Sequence, residues 1–216
     1  MIEFGHLSHP GTLKVCNEST YSANGQLGFW ILLDGIGGEG CGEVAATAAR
    51  DSLQKSLRTG QAIPDAIRTA EQIVAALPKA TSNLRGTSAL ILRRNDATRS
   101  LELGWIGASR AFGISRKGEW SELTIPDATI PSSIRTMALG VSDASRLQVA
   151  EVAVDAAEYS RILLCSDGVV PLIGAARATE ILKEKDCSAQ EMVDTLAFEA
   201  LDADIEESFA LLVLKL

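Results

Sequence analysis

The sequence predicts an α+β fold in layers, with antiparallel sheets in the middle and helix pairs outside. Two apolar runs of strand length each end in an Asp-Gly pair: Phe29-Trp30-Ile31-Leu32-Leu33-Asp34-Gly35 and Arg161-Ile162-Leu163-Leu164-Cys165-Ser166-Asp167-Gly168. Between them, from Gly86 to about Leu123, short strand-like runs are joined by turn-forming pairs, which favours antiparallel pairing. Each long strand is followed by two consecutive helical patterns rather than by a helix and a parallel strand.

Taken in order, the first apolar run is a buried strand. After Gly40 a helical pattern places Val44, Ala45, Ala48, Ala49, Leu53 and Leu57 on one face, with Glu43 in its opening region. A break at Thr59-Gly60 leads to a second helix with Ile63, Ile67, Ala70, Val74 and Leu77, Pro64 near its start and Pro78 at its end. Strand-like runs follow at 87–92, 101–106, 111–114 and 120–123, with Asn95-Asp96 and Lys117-Gly118 suited to hairpin turns. A further strand is expected at 147–154, ahead of the Arg161 run. Two helices are expected at about 171–185 and 188–201, the second opening on Ser188-Ala189-Gln190-Glu191, a capping box ahead of Met192, Val193, Leu196, Ala197, Ala200 and Leu201. Phe209-Ala210-Leu211-Leu212-Val213-Leu214 forms the last strand, and no fixed-period repeat or low-complexity segment is present.

At 216 residues and 46% hydrophobic composition, without a linker-like break, residues 1–216 are expected to form one domain with a sizeable core. A net charge of -8 opposes general binding to nucleic acid or anionic membranes. No basic-apolar leader or run of membrane-spanning length is visible, so a cytoplasmic protein is expected. Cys16, Cys41, Cys165 and Cys187 form no Cys-x-x-Cys pair, which disfavours zinc and a disulfide framework and leaves free thiols. His6 and His9 are the only histidines, no nucleophile-elbow motif accompanies them, and surface positions are expected for both.

If the two Asp-Gly strands are neighbours, Asp34 and Asp167 converge. Glu206-Glu207 precede the terminal run and bring carboxylates to the start of a third strand. Carboxylates held by strand ends, with oxygen donors only, suit a hard divalent cation such as magnesium or manganese. One Asp-Gly pair alone is more readily a turn, and the repetition after large apolar residues is what favours a site. Gly35-Ile36-Gly37-Gly38-Glu39-Gly40 fits the letters of the dinucleotide fingerprint, but a second helix follows the first, and Asp34 would oppose a pyrophosphate. A plain structural turn is the rival there.

Asp34-Gly35-Ile36-Gly37-Gly38 with Gly42-Glu43-Val44-Ala45 resembles the signature of the metal-dependent, 2C-type serine/threonine protein phosphatases. Gly86-Thr87-Ser88-Ala89, Gly107-Ala108-Ser109-Arg110-Ala111, Met137-Ala138-Leu139-Gly140 and Leu164-Cys165-Ser166-Asp167-Gly168 resemble further motifs of that family, in family order. The resemblance implies a central antiparallel β-sandwich flanked by helix pairs (α-β-β-α layers). It also implies two Mn2+ or Mg2+ ions that activate a bridging water for in-line attack on phosphorus. Residue by residue, Asp34 would bridge both metals, Gly35 would offer its carbonyl to one, Asp167 would bind the other, and Glu18 and Glu207 would complete the ligands. Lys14 stands where the family has a phosphate-clamping arginine, and supplies a point charge without the bidentate fork. Ser19 and Ser208 replace an acid and an asparagine, and Ala108 removes the ligand of a third, weaker metal site. Ile36 replaces a histidine that some relatives carry, which leaves water to protonate the leaving alkoxide. The segment between Thr124 and Ala138 is short where bacterial relatives usually carry a helical flap.

Two functions are therefore expected. The first is a signalling phosphatase acting on phosphoserine or phosphothreonine proteins, monomeric, with a two-metal site. The second is a pseudophosphatase that keeps the shape and binds partners without turnover. Asp34, Glu18, Asp167 and Glu207 favour the first, and Lys14, Ser19 and Ala108 favour weak or absent activity.

Overall fold

The computed structural model describes residues 2–37, 41–78, 85–124, 137–141 and 147–216. The segment expected to be a shortened flap, and Gly38, Glu39 and Gly40 of the glycine-rich turn, lie outside the described residues.

Strand β3 (Phe29–Ile36) shows why the first apolar run is unbroken. Successive side chains of a strand point to opposite faces, and both faces of this one are covered. Phe29, Ile31 and Leu33 pack in one cluster, Trp30 and Leu32 in another, all at most 1% exposed. Each such side chain contributes roughly 1.5–3 kcal/mol through burial.

Around β3 runs a sheet in the order β2 (Ser19–Asn24), β3, β5 (Ala89–Asn95), β6 (Ser100–Ile106), β9 (Ala150–Asp155), with β4 (Gly86–Thr87) paired to the end of β3. The second sheet runs β1 (Glu3–His9), β11 (Phe209–Lys215), β10 (Tyr159–Cys165), β7 (Arg110–Ser115), β8 (Trp120–Glu122). Every pairing in both sheets is antiparallel, which excludes the dinucleotide-binding reading. The sheets meet across Trp30, Leu32, Leu90 and Leu92 on one side and Ile162, Leu164, Leu212 and Leu214 on the other. Helices α1 (Cys41–Arg58) and α2 (Ile63–Ala75) cover the outer face of the first sheet. Helices α3 (Val169–Ile173), α4 (Ala175–Lys183) and α5 (Ala189–Asp202) cover that of the second. The expected α-β-β-α layering is therefore present.

Several details differ from expectation for physical reasons. β1 and β2 escape the apolar-run criterion because each is an edge strand rich in small and polar residues. The helix expected at 171–185 is divided, because Gly174 sits at φ +86° and ends α3 where α4 begins. The strand expected at 87–92 is interrupted at Ser88, and that expected at 147–154 spans Ala150–Asp155. On α1, Ala46 rather than Val44 lies on the buried face, and Val44 is 44% exposed. Cys16, Cys165 and Cys187 are free, with Cys165 buried in β10. His6 and His9 are half-buried, and His9 Nδ1 accepts a hydrogen bond from the Gly11 N–H. No helix among the described residues is long and apolar enough to cross a membrane.

The capping box of α5 is complete. Ser188 Oγ accepts from the Glu191 N–H at 3.2 Å, and Glu191 Oε2 accepts from the Ser188 N–H at 2.7 Å. Ser188→Ala is expected to cost about 1 kcal/mol, to be read from the urea midpoint, with a neutral outcome removing the cap from the account of this helix.

Candidate active site

The alternation that fills the inter-sheet core also builds the site. Continuing β3 by two residues past Leu32 puts Asp34 on the face that carries Trp30 and Leu32. Continuing β10 past Leu164 brings Ser166 to the same end of the sandwich, and stepping back along β11 from Ala210 brings Ser208. Opposite Asp34 in the β2–β3 register stands Ser19. Where the apolar core stops, the strands thus present a carboxylate ringed by hydroxyls.

These groups are wired together. Ser19 Oγ donates to Asp34 Oδ1 at 2.6 Å, and the Ser166 hydroxyl, lining the same cavity, favours the charged form of that carboxylate. Ser166 Oγ also accepts from the Ala210 N–H at 3.0 Å, and Ser208 Oγ accepts from the Glu18 N–H at 3.1 Å. Behind the carboxylate, the Asp34 carbonyl accepts from the Ser88 N–H at 2.9 Å and from Thr87 Oγ1 at 3.1 Å. Ser88 Oγ and Ser109 Oγ lie 2.7 Å apart, and Thr87 bridges to Leu139. The dispersed motifs around Gly86, Gly107 and Met137 therefore meet as one hydrogen-bonded support for the end of β3.

A cavity of about 300 Å³ opens at this end, lined by Glu18, Asp34, Gly35, Ser166, Asp167 and Gly168, with Leu172 and residues 204–209 completing its wall. Larger hollows of about 420 and 560 Å³ lie on the outer face near the start of α2 and between α1 and α2. The first is lined by an already paired Arg93 and Glu102, and neither gathers the Asp-Gly carboxylates. The smaller cavity is the chemically distinctive one.

Burial pushes the Asp34 carboxyl up to about 7; the Ser19 and Ser166 hydroxyls oppose this, and the charges of Asp167 and Glu18 add to it. Asp167, on the rim, is also held above its ordinary value, first by lost hydration and against hydrogen bonds from the backbone. Glu18 is 5% exposed, and its Oε1 accepts from the Gly42 N–H at 3.2 Å. Lys14 Nζ lies 2.8 Å from Glu207 Oε2 and 3.4 Å from Glu18 Oε2.

The five residues expected as metal ligands, Glu18, Asp34, Gly35, Asp167 and Glu207, thus line one cavity. Among the described residues no three Asp, Glu, His or Cys side chains are gathered closely enough to hold an ion as they stand. Asp34 is engaged by serines, Glu18 by Gly42 and Lys14, and the 73%-exposed Glu207 side chain by Lys14. The donor chemistry nevertheless fits a hard divalent ion: all donors are oxygens, and the poorly hydrated Asp34 carboxylate carries an electrostatic cost that a cation would relieve. The hydroxyls of Ser166 and Ser208 had no place among the expected site residues; period-two continuation past the apolar runs is the signal that locates them.

The family model described as Stage II sporulation protein E (SpoIIE) matches residues 29–216, most of the chain. The chain belongs to the SpoIIE family. Its fold is that of the 2C-type, or PPM, serine/threonine phosphatases, as the resemblance implied. The Mycobacterium tuberculosis serine/threonine phosphatase PstP/Ppp superposes with a TM-score of 0.81 at 22% identity, over 100% of this chain and 98% of that one. PppA of Pseudomonas aeruginosa, a regulatory component of its T6SS, gives 0.82 at 21% identity, over 99% and 97%. The catalytic domain of PstP in complex with two manganese ions gives 0.81 at 21% identity, over 99% and 97%. None of the curated proteins compared matches the sequence significantly. This SpoIIE-family chain thus keeps the layered fold and presents its Asp-Gly carboxylates at one end of the sandwich.

Proposed function

We propose that this SpoIIE-family domain is a phosphoserine/phosphothreonine protein phosphatase whose site holds two Mn2+ or Mg2+ ions. The observation that carries this reading is the half-buried Asp34 carboxylate, which lines one cavity with Asp167 and Glu18 at the end of the inter-sheet core. Asp34, Glu18, the Gly35 carbonyl, Asp167 and Glu207, which line one cavity, would hold the ions. When bound, such ions supply an activated water and neutralise charge on the phosphoryl oxygens. The chain's own part is positional. Ser19 and Ser166 orient Asp34, and the Ser88 and Thr87 bonds to its carbonyl fix the strand end, so the carboxylate is pre-organised. Lys14 contributes positive charge toward the substrate phosphate, as a point charge. A single domain over residues 1–216 acting as a monomer in the cytoplasm completes the reading, and the free thiols of Cys16, Cys165 and Cys187 suit a reducing compartment.

A second reading, a binding module without turnover, is favoured by the engagement of Lys14 with Glu18 and Glu207. The two are separated by phosphate release from an aryl phosphate and from a phosphothreonine peptide, with Mn2+ and with excess chelator. Release that depends on Mn2+ supports the enzyme. Tight phosphopeptide binding without release supports the module.

A further inference from the structure

Lys14 is expected at the substrate phosphate, yet its ammonium rests on two carboxylates, 2.8 Å from Glu207 Oε2 and 3.4 Å from Glu18 Oε2. These partners come from opposite ends of the chain. They meet because the loop after β1 is stitched to the segment before β11: the Thr12 N–H donates to the Ile205 carbonyl at 2.9 Å, the Leu13 N–H to the Glu206 carbonyl at 3.3 Å, and Thr12 Oγ1 to Asp204 Oδ1 at 2.8 Å. The arrangement is asymmetric. The Glu18 side chain is 6% exposed, so its charge depends on partners within the protein, whereas Glu207, 73% exposed, is well hydrated.

We propose that Lys14 and a divalent cation compete for Glu18 and Glu207, and that loading the site with metal hands the lysine over to the substrate phosphate. The inference rests on the metal-site reading above, which counts both glutamates among the residues that would hold the ions. One ammonium touching both serves as counter-charge for both glutamates. It cannot remain there beside a divalent ion on the same carboxylates, because the two cations repel at short range. Its flexible stem and 30% exposure let it swing aside without disturbing the fold. Two consequences follow. The pairing stabilises the metal-free form and so lowers apparent metal affinity by mass action. Binding is also ordered, because Lys14 resting on two glutamates has its charge offset and two of its three donors engaged, and only a displaced Lys14 offers both in full to phosphate. Lys14 is then a positioning residue for metal as well as a contact for substrate.

The test is a calorimetric titration of Mn2+ into chelator-stripped parent protein and Lys14→Met, then of inorganic phosphate into each with and without Mn2+. Lys14→Gln serves as a second variant, and thermal unfolding establishes that both are folded. Mn2+ is expected to bind the variants about tenfold more tightly than the parent, the scale of a partly buried ion pair. Phosphate is expected to bind the parent only after Mn2+, and to bind the metal-loaded variants at least several-fold more weakly. Parent binding of Mn2+ that both substitutions leave unchanged or weaken overturns this inference alone. Tighter Mn2+ binding with undiminished phosphate binding overturns the hand-over. Absence of Mn2+ binding in parent and variants alike overturns the two-metal reading and this inference with it.

Discussion

Asp34→Asn is expected to remove phosphatase turnover, by roughly a thousandfold or more, while making the metal-free protein more stable at neutral pH. The first effect follows from exchanging a charged oxygen donor of the proposed metal site for a neutral amide. The second follows from linkage. Burial raises the folded-state pKa of Asp34 from 3.8 to about 7. Between those values the folded state binds more protons than the unfolded state, so the contribution of this group is fully present below about pH 4 and is lost as pH rises through 7. Above pH 7 an ionised Asp34 opposes folding. Because the residue lines an open cavity and is only partly covered, about 1–3 kcal/mol is expected rather than the full shift. The asparagine side chain still accepts from Ser19, so the packing survives. Thermal unfolding of chelator-treated parent and variant at pH 5 and pH 8 checks this: the variant should gain at pH 8 and little at pH 5. A variant less stable than the parent at pH 8, or one that retains turnover with Mn2+, would remove Asp34 from the centre of the site.

Such a tension between stability and chemistry explains which parts of the molecule are legible in the sequence. β3, β10 and β11 are covered on both faces, so their sequences are continuous apolar runs, and the polar residues that bound each run mark the site. Asp34 and Asp167 are visible for that reason. β1 and β2 are not, because an edge strand with one modest apolar face leaves no such run. Ser166 and Ser208 are ordinary residues by composition, and acquire meaning only once the register of the sandwich is known. Contacts across the whole length of the chain are least visible. Lys14 meets Glu207 because backbone hydrogen bonds join residues 12 and 13 to residues 205 and 206, and no local pattern encodes that. Its role as a phosphate contact comes from the resemblance, its pairing with Glu18 and Glu207 from the fold.

Gly35→Ala should damage both stability and activity severely. A Cβ at this position would lie 2.5 Å from the Gly42 carbonyl oxygen and 2.6 Å from the Glu18 carbonyl oxygen. Both are backbone atoms, so no rotamer change relieves the contact; either α1 must retreat from β3 or the segment before β2 must move. The Gly35 N–H also donates to that Glu18 carbonyl at 3.0 Å, so a shift that relieves the clash breaks the bond aligning Glu18 with Asp34. Overpacking of this kind costs about 3 kcal/mol, and a displacement near 1 Å in a catalytic arrangement costs about a hundredfold in rate. Gly60→Ala is the matched control. It sits at φ +80° with nothing within 4 Å of an added methyl, so it should lose only about 1 kcal/mol from backbone strain and keep full activity. Measured side by side, the two variants separate close packing at the site from the general cost of replacing a glycine. If Gly35→Ala matched Gly60→Ala in both stability and kcat/KM, the tight junction of β3, α1 and the Glu18 backbone would not be what positions the carboxylates.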